Sequence, residues 1–354
     1  MEKQLWKACW DGKVDEVERL LQDSQVNINW QDSQDPFNLR TPFYLACGRG
    51  QVEIVKLLLN DERVDINRAD ENQATPFYVA CCQGHVEVVK LLLNDERIDV
   101  NKPEYHDSVT PFWIVCQQGH IEIVKLLLKD QRVDINKADN DGETSFYVAC
   151  YKGRIEIVKL LLNDKRVDPN KASNYGETPL YIAFFEGHIE IVKLLVHDKR
   201  VDTTQTEKDY WASFWMACYD GQIEIVKLLL NDKRVDINKA RNDGWTPFMI
   251  ACCYGHIEIV KLLLNDKRVD PNKINNRDES TFYIACEKGH IEIVRLLLND
   301  KRISIRKEAN ERKTAIDIAK EENHSSIVKL INEFDTGNSQ ILINNKLYLF
   351  LFKL

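Results

Sequence analysis

What most constrains the fold of this chain is that one stretch of it is written over and over. Asp243–Lys273 reads DGWTPFMIACCYGHIEIVKLLLNDKRVDPNK, and lightly edited copies run down the sequence. Aligned on the central glycine, the copies fall at Gly12, Gly50, Gly84, Gly119, Gly153, Gly187, Gly221, Gly255 and Gly289, with Asn323 in the last slot. From Gly50 onward the step is 34 residues, except for 35 between Gly84 and Gly119. A fixed period of this length marks a stacked-repeat solenoid in place of a single globular core.

Each copy predicts two short helices and an extended finger. Thr246 is a good N-cap and Pro247 takes the first helical position, where a missing N–H costs nothing. Gly255 stops that helix, since glycine readily adopts positive φ at a helix C-terminus. The second helix, Ile257–Leu264, leaves only Glu258 and Lys261 clearly polar. Such a helix needs cover on several sides, which a copy above and a copy below supply. Asp243-Gly244 and Asp141-Gly142 are tight-turn signals in the fingers, and Tyr175-Gly176 is a weaker one. Other copies lack glycine there, so variable finger geometry is expected.

These residues resemble the ankyrin repeat. The family pattern G-x-T-P-L-H-x-A-A-x-x-G-H-x-E-I-V-K-L-L-L is matched from Gly244 to Cys252 and from Gly255 to Leu264, and ten copies cover about residues 3–334. The family's histidine after T-P-L is Tyr44, Tyr78, Trp113, Tyr147, Tyr181, Trp215, Met249 or Tyr283 here. The family's glycine after the second helix gives way to a longer Asn-Asp-Lys/Glu-Arg turn. The resemblance implies an all-α repeat solenoid of helix-turn-helix units with extended β-hairpin-like fingers. It implies a repeat domain over 1–335, with a cap repeat at 3–29, regular repeats over 41–308 and a second cap at 309–334. A hydrophobic tail, 336–354, follows.

Formal net charge is −8, which argues against a nucleic-acid surface. Met1–Leu5 carries no hydrophobic signal region, and no apolar run reaches membrane-spanning length. Eight of the ten cysteines (Cys9, Cys47, Cys81, Cys116, Cys150, Cys218, Cys252 and Cys286) share one repeat slot, and Cys82 and Cys253 follow a neighbour. Layers about 10 Å apart are too far for a disulfide, so these read as small buried hydrophobes of a cytoplasmic protein.

Three places depart from the array. The link Trp30–Arg40 is longer and contains Pro36; Lys102–Val109 has an extra residue; Thr203–Ser213 loses the Thr-Pro start. The tail segment Ile341–Leu354 is apolar but too short to span a bilayer. It reads either as a segment folded over the last repeat or as an interfacial anchor, the only route to a membrane expected here.

Pairs such as Cys82/His85 and Cys253/His256 recur because the unit recurs, and each layer offers two of the four ligands zinc needs. The histidines at the start of the second helix (His85, His120, His188, His256, His290 and His324) alternate with Lys13, Gln51, Arg154 and Gln222, which suits a local capping or surface role. No Walker loop, dinucleotide fingerprint or nucleophile elbow is present. Neither catalysis nor a cofactor or metal is expected. The Asp-Lys-Arg-Val-Asp turns read as a solvated fringe, since their charges largely cancel.

Function is expected where the copies differ. In ankyrin proteins the fingers and the concave side of the first helices contact protein partners, so the resemblance points there. The finger tips hold Tyr210, Trp211 and Trp245, with Tyr105 and Tyr175 on earlier fingers; the late slots of the first helices hold Tyr151, Phe185, Tyr219 and Tyr254. Clustered aromatics are the residues that dominate interface energetics. The competing reading is packing between neighbouring fingers. Trp113 and Trp215 occupy the family's buried histidine slot and read as structural.

Overall fold

The structure is a computed structural model that describes residues 1–31, 39–202, 213–233, 235–305 and 313–335. Tyr210, Trp211 and the segment 341–354 lie outside the described residues, as do 32–38 of the first link. Two compact units divide the chain, Met1–Val201 and Asp202–Leu354. The first holds six helix pairs, from Glu2–Asp11 with Val14–Leu21 to Pro179–Phe185 with Ile189–His197. The second holds four, from Ser213–Tyr219 with Ile223–Asn231 to Ala315–Glu321 with Ser325–Asp335. Within each unit a first helix packs on the first helices beside it, and the second helices stack likewise.

Local chemistry sets each boundary. Thr41, Thr75, Thr110, Thr144, Thr178, Thr246 and Ser280 sit at N-caps and accept a hydrogen bond from the backbone N–H three residues on. Each such cap is worth about 1 kcal/mol. In the last repeat the Thr314 N–H and hydroxyl both donate to Asp317. Within each unit the core is one column per slot. Phe43, Phe77, Phe112, Phe146, Phe214, Phe248 and Phe282, one place after the helix start, are all at most 2% exposed. The Ile-Val-x-x-Leu positions of the second helices, such as Ile157, Val158 and Leu161, are buried equally well.

The fingers are tight turns, with one isolated β-bridge, Ile274 to Ser280, among the described residues. Their geometry varies at one described finger, where the Glu104 N–H closes on the Val109 carbonyl over one residue more than the others span, but the left-handed turn position is kept whether or not it holds glycine. Gly142, Gly176 and Gly244 have φ of 77, 82 and 83°, and Gln73, Ser108 and Asp278 sit in the same left-handed region at 59, 57 and 58°. The turn is held from outside the glycine position. Asp70, Asp139 and Asn275 each accept two backbone N–H bonds across their own turn. Four fingers also donate a backbone N–H to their predecessors: Tyr105 to Asn72, Asn140 to Asp107, Asn174 to Asp141 and Asn276 to Asp243. With the loop fixed this way, a side chain at the turn is strained. Gln73→Gly is therefore expected to stabilise the protein by about 0.5–1 kcal/mol in urea melts, whereas a neutral or negative effect would show that the turn tolerates a side chain freely.

Three further bonds recur between consecutive repeats. At the start of the second helix, His85, His120, His188, His256, His290 and His324 do not cap their own helices. Their Nε2 reaches back 2.7–3.0 Å to the carbonyls of Gly48, Cys82, Tyr151, Tyr219, Cys253 and Glu287. A carbonyl only accepts, so Nε2 carries the proton. Each ring thus serves an orphan carbonyl at the end of its neighbour's first helix. Asparagines form a ladder along the loops: Asn101 Nδ2 donates to the Arg132 carbonyl while its Oδ1 accepts from the Asp134 N–H, as Asn29, Asn67, Asn238 and Asn272 do one repeat away. Arginines of the turns close the opposite end, Arg63 on the Leu21 carbonyl, Arg132 on Leu93 and Arg166 on Leu128.

Candidate interaction surface

The aromatic that replaces the family's histidine reaches into the next finger. Trp113 Nε1 donates to the Glu143 carbonyl at 3.0 Å, Trp215 Nε1 to the Trp245 carbonyl at 3.1 Å and Trp6 Nε1 to the Arg40 carbonyl at 3.0 Å. The hydroxyls of Tyr44 and Tyr147 donate to the carboxylates of Asp70 and Glu177. Burial pushes both phenols upward, the adjacent carboxylate adding to it. Trp113 and Trp215, 6% and 3% exposed, are thus committed to the stack.

The variable aromatics divide. In the first unit Phe185 is 59% and Tyr175 60% exposed, while Tyr151 is half-buried. Phe185 stacks on Tyr181 with centroids 6.0 Å apart, and the Lys152 ammonium stands 4.2 Å from the centre of the Tyr151 ring. The Tyr175 hydroxyl donates to Asp141 of the preceding finger at 3.1 Å, a bond that raises its pKa. That finger residue is both a link between turns and an exposed ring.

In the second unit Trp215, Tyr219 and Tyr254 form a run of rings. Trp215 stacks on Tyr219 at 5.5 Å, and Tyr219 meets Tyr254 at 4.6 Å with the rings tilted by 59°. Tyr254 is half exposed, and its hydrogen bond with Tyr219 pushes its pKa up to about 12. The Tyr254 phenol therefore stays neutral, and the pair offers ring faces plus a polar edge, as interface tyrosines do. Trp245 is half-buried in its finger, and its carbonyl takes the bond from Trp215.

Most charged groups of the turns are paired. In the turns, Arg132 pairs with Asp130 at 2.6 Å and Arg166 with Asp164 at 2.6 Å, and the guanidinium beside each aspartate lowers its pKa. Carboxylates crowd the fingers of repeats four to six. Partial burial first, then Asp139, Asp141 and Glu177, push the Glu143 carboxyl up to about 7. All ten cysteines are free thiols, eight of them buried. Burial holds the Cys9 thiol up at about 12 and raises the other slot cysteines likewise, which makes them poor nucleophiles. Among the described residues no group of three or more His, Cys, Asp and Glu could hold a metal ion. No helix among them is long and apolar enough to cross a membrane.

Sequence reasoning missed one aromatic cluster, at the first repeat. Trp6 and Trp10 stack in parallel at 5.6 Å, and the Arg49 guanidinium lies 3.5 Å over the Trp10 ring. The available signal was Gly48, a glycine in a slot that elsewhere carries side chains.

A family model described as ankyrin repeats in three copies matches residues 5–104, 112–207, 199–275 and 267–340. The search of curated proteins returned no match. Ankyrin repeats are in general protein–protein interaction modules, typically without enzymatic activity.

Proposed function

The chain belongs to the ankyrin-repeat family, and from that premise we propose that it is a non-catalytic scaffold that binds a protein partner through the first-helix faces and finger tips. Under this reading residues 1–335 are the binding domain, closed by cap repeats at 3–29 and 309–334, and 336–354 is an appended tail. The observation that carries the proposal is the state of the aromatic rings. Phe185 and Tyr254 are more exposed than packing requires, and each is held in place by a second ring, Tyr181 or Tyr219. A ring already oriented loses less entropy when a partner covers it.

The test is affinity capture from native lysate, with the intact chain beside a Phe185→Ala/Tyr219→Ala/Tyr254→Ala variant. The variant is expected to keep its thermal melt within a few degrees. It should lose partner affinity by about 2–4 kcal/mol, the scale of an interface hot spot. An identical set of captured proteins would overturn the placement on these rings. Partners lost only on removal of 336–354 would move the function to the tail.

A further inference from the structure

We propose that the first helices of repeats one to three form a second, chemically distinct docking pocket, which takes a carboxylate side chain and its apolar neighbour from an acidic peptide segment of a partner. The pocket does not depend on Phe185, Tyr219 or Tyr254.

The cleft has a volume of about 450 Å³ and lies between Trp10, Tyr44, Leu45, Gly48, Arg49 and Val79. Its existence traces to one residue. The slot occupied by Gly48 holds Trp10, Cys82, Gln117, Tyr151 and Phe185 in the other repeats of the same unit. Gly48 is the last residue of the helix Pro42–Gly48 and does not have positive φ, so the backbone does not demand glycine there. A Cβ at Gly48 would come within 3.1 Å of Val79 Cγ2. The missing side chain is thus what leaves room, and any larger residue would fill the space.

The walls specify the occupant. Leu45 and Val79 provide an apolar floor, and the Trp10 ring stands on one side. Over that ring lies Arg49, exposed, its guanidinium 3.5 Å from the ring centre. None of its guanidinium N–H groups has a hydrogen-bond partner among the described residues, unlike the turn arginines, which are tied to aspartates and helix-end carbonyls. Stacking fixes the plane and leaves the N–H edges outward, the arrangement that receives a carboxylate bidentately. Two acids that adjoin lining residues, Asp70 bonded to Tyr44 and Asp11 next to Trp10 in sequence, are engaged elsewhere. Asp70 is engaged by the Tyr44 hydroxyl and the N–H groups of Asn72 and Ala74, and Asp11 faces Lys13 at 3.7 Å. The rest of the chain is net acidic, so this locally cationic spot is the place where an acidic segment meets attraction.

Fluorescence anisotropy on the full chain tests this with two labelled, acetylated peptides, one alternating Glu and Leu and one alternating Gln and Leu. The Glu peptide should bind, and the Gln peptide should bind on the order of tenfold more weakly or worse. Arg49→Gln and Gly48→Tyr should each reduce binding of the Glu peptide on the order of tenfold, and Arg49→Lys less, because an ammonium lacks the planar fork. Arg49 is a surface residue, so its variants report on binding even if Gly48→Tyr perturbs folding. The Tyr219→Ala/Tyr254→Ala variant should bind the Glu peptide normally, which separates this pocket from the scaffold reading. Equal affinity for the two peptides, no binding of the Glu peptide, or unchanged binding by Arg49→Gln would overturn the proposal. Tighter binding of a phosphoserine peptide would overturn the choice of a carboxylate.

Discussion

Phe146→Ala is expected to destabilise the six-repeat unit by about 3–5 kcal/mol, the cost of deleting a fully buried phenyl ring and leaving its cavity. Phe146 is 2% exposed, in the column that Phe112 continues in the preceding repeat and Leu180 in the next. A globular core relaxes around a cavity from all directions. A layer of a solenoid has only the layers above and below, and these are held at fixed spacing here by Asn101, Asn136, Arg154 and His188. Collapse into the hole would break those bonds, so the full cavity cost should appear. Urea unfolding of the wild type and variant measures it. A loss below about 1 kcal/mol would mean that the layers slide and that the bonds between them are weak. Hydrogen exchange should place the damage in repeats four to six, because stability in such arrays is shared between nearest neighbours.

Gly84→Ala should cost about 2–3 kcal/mol, although it adds a single methyl group at the surface end of a helix. Two effects combine. Gly84 has φ +76°, a conformation that costs alanine about 1 kcal/mol or more. The added Cβ would also come within 2.6 Å of His120 Cε1, forcing the ring off the Cys82 carbonyl and losing a bond worth about 1 kcal/mol. The histidine thus closes over the glycine, and each requires the other. A double-mutant cycle shows whether this is so: in a His120→Ala background, Gly84→Ala should cost only its backbone strain. Strict additivity would sink the clash argument. Gly12→Ala is the internal comparison, since its nearest neighbour is the flexible amide of Gln51 at 3.2 Å, and only the backbone cost is expected there.

The repeating part of this structure was legible because each repeated residue has one job. The spacing of Thr-Pro, Gly and Ile-x-Ile-Val gave the helices, their caps and their buried faces. The eight slot cysteines were read correctly as packing, since their burial follows from the same slot. The histidines were placed on the right helix, but their target was not, because a bond from His120 to Cys82 crosses 38 positions and leaves no local pattern. The fingers misled for a related reason. Gln73 and Asp278 look unsuited to a tight turn until the bonds from neighbouring backbone are known. Interaction residues are harder still, because exposure depends on what stands opposite. Tyr254 and Trp245 are both aromatic and variable, yet one is exposed and the other half-buried in its finger. Tyr210 and Trp211 lie outside the described residues, so the finger-tip part of the expectation rests on Tyr175 and Trp245.

Every bond in the histidine, asparagine and arginine ladders joins a repeat to the one directly after it, and the partner atoms are mostly backbone carbonyls and amides. A carbonyl is the same group whichever residue bears it. The joint between two repeats is therefore a standard coupling that ignores the identity of the pieces it joins. Unequal exchange between near-identical stretches of coding sequence, which removes or adds whole units, would create a junction chemically equivalent to the one it destroyed. The length of the chain, and the order in which its variable aromatics are displayed, can then change by a genetic accident without a new interface having to be invented.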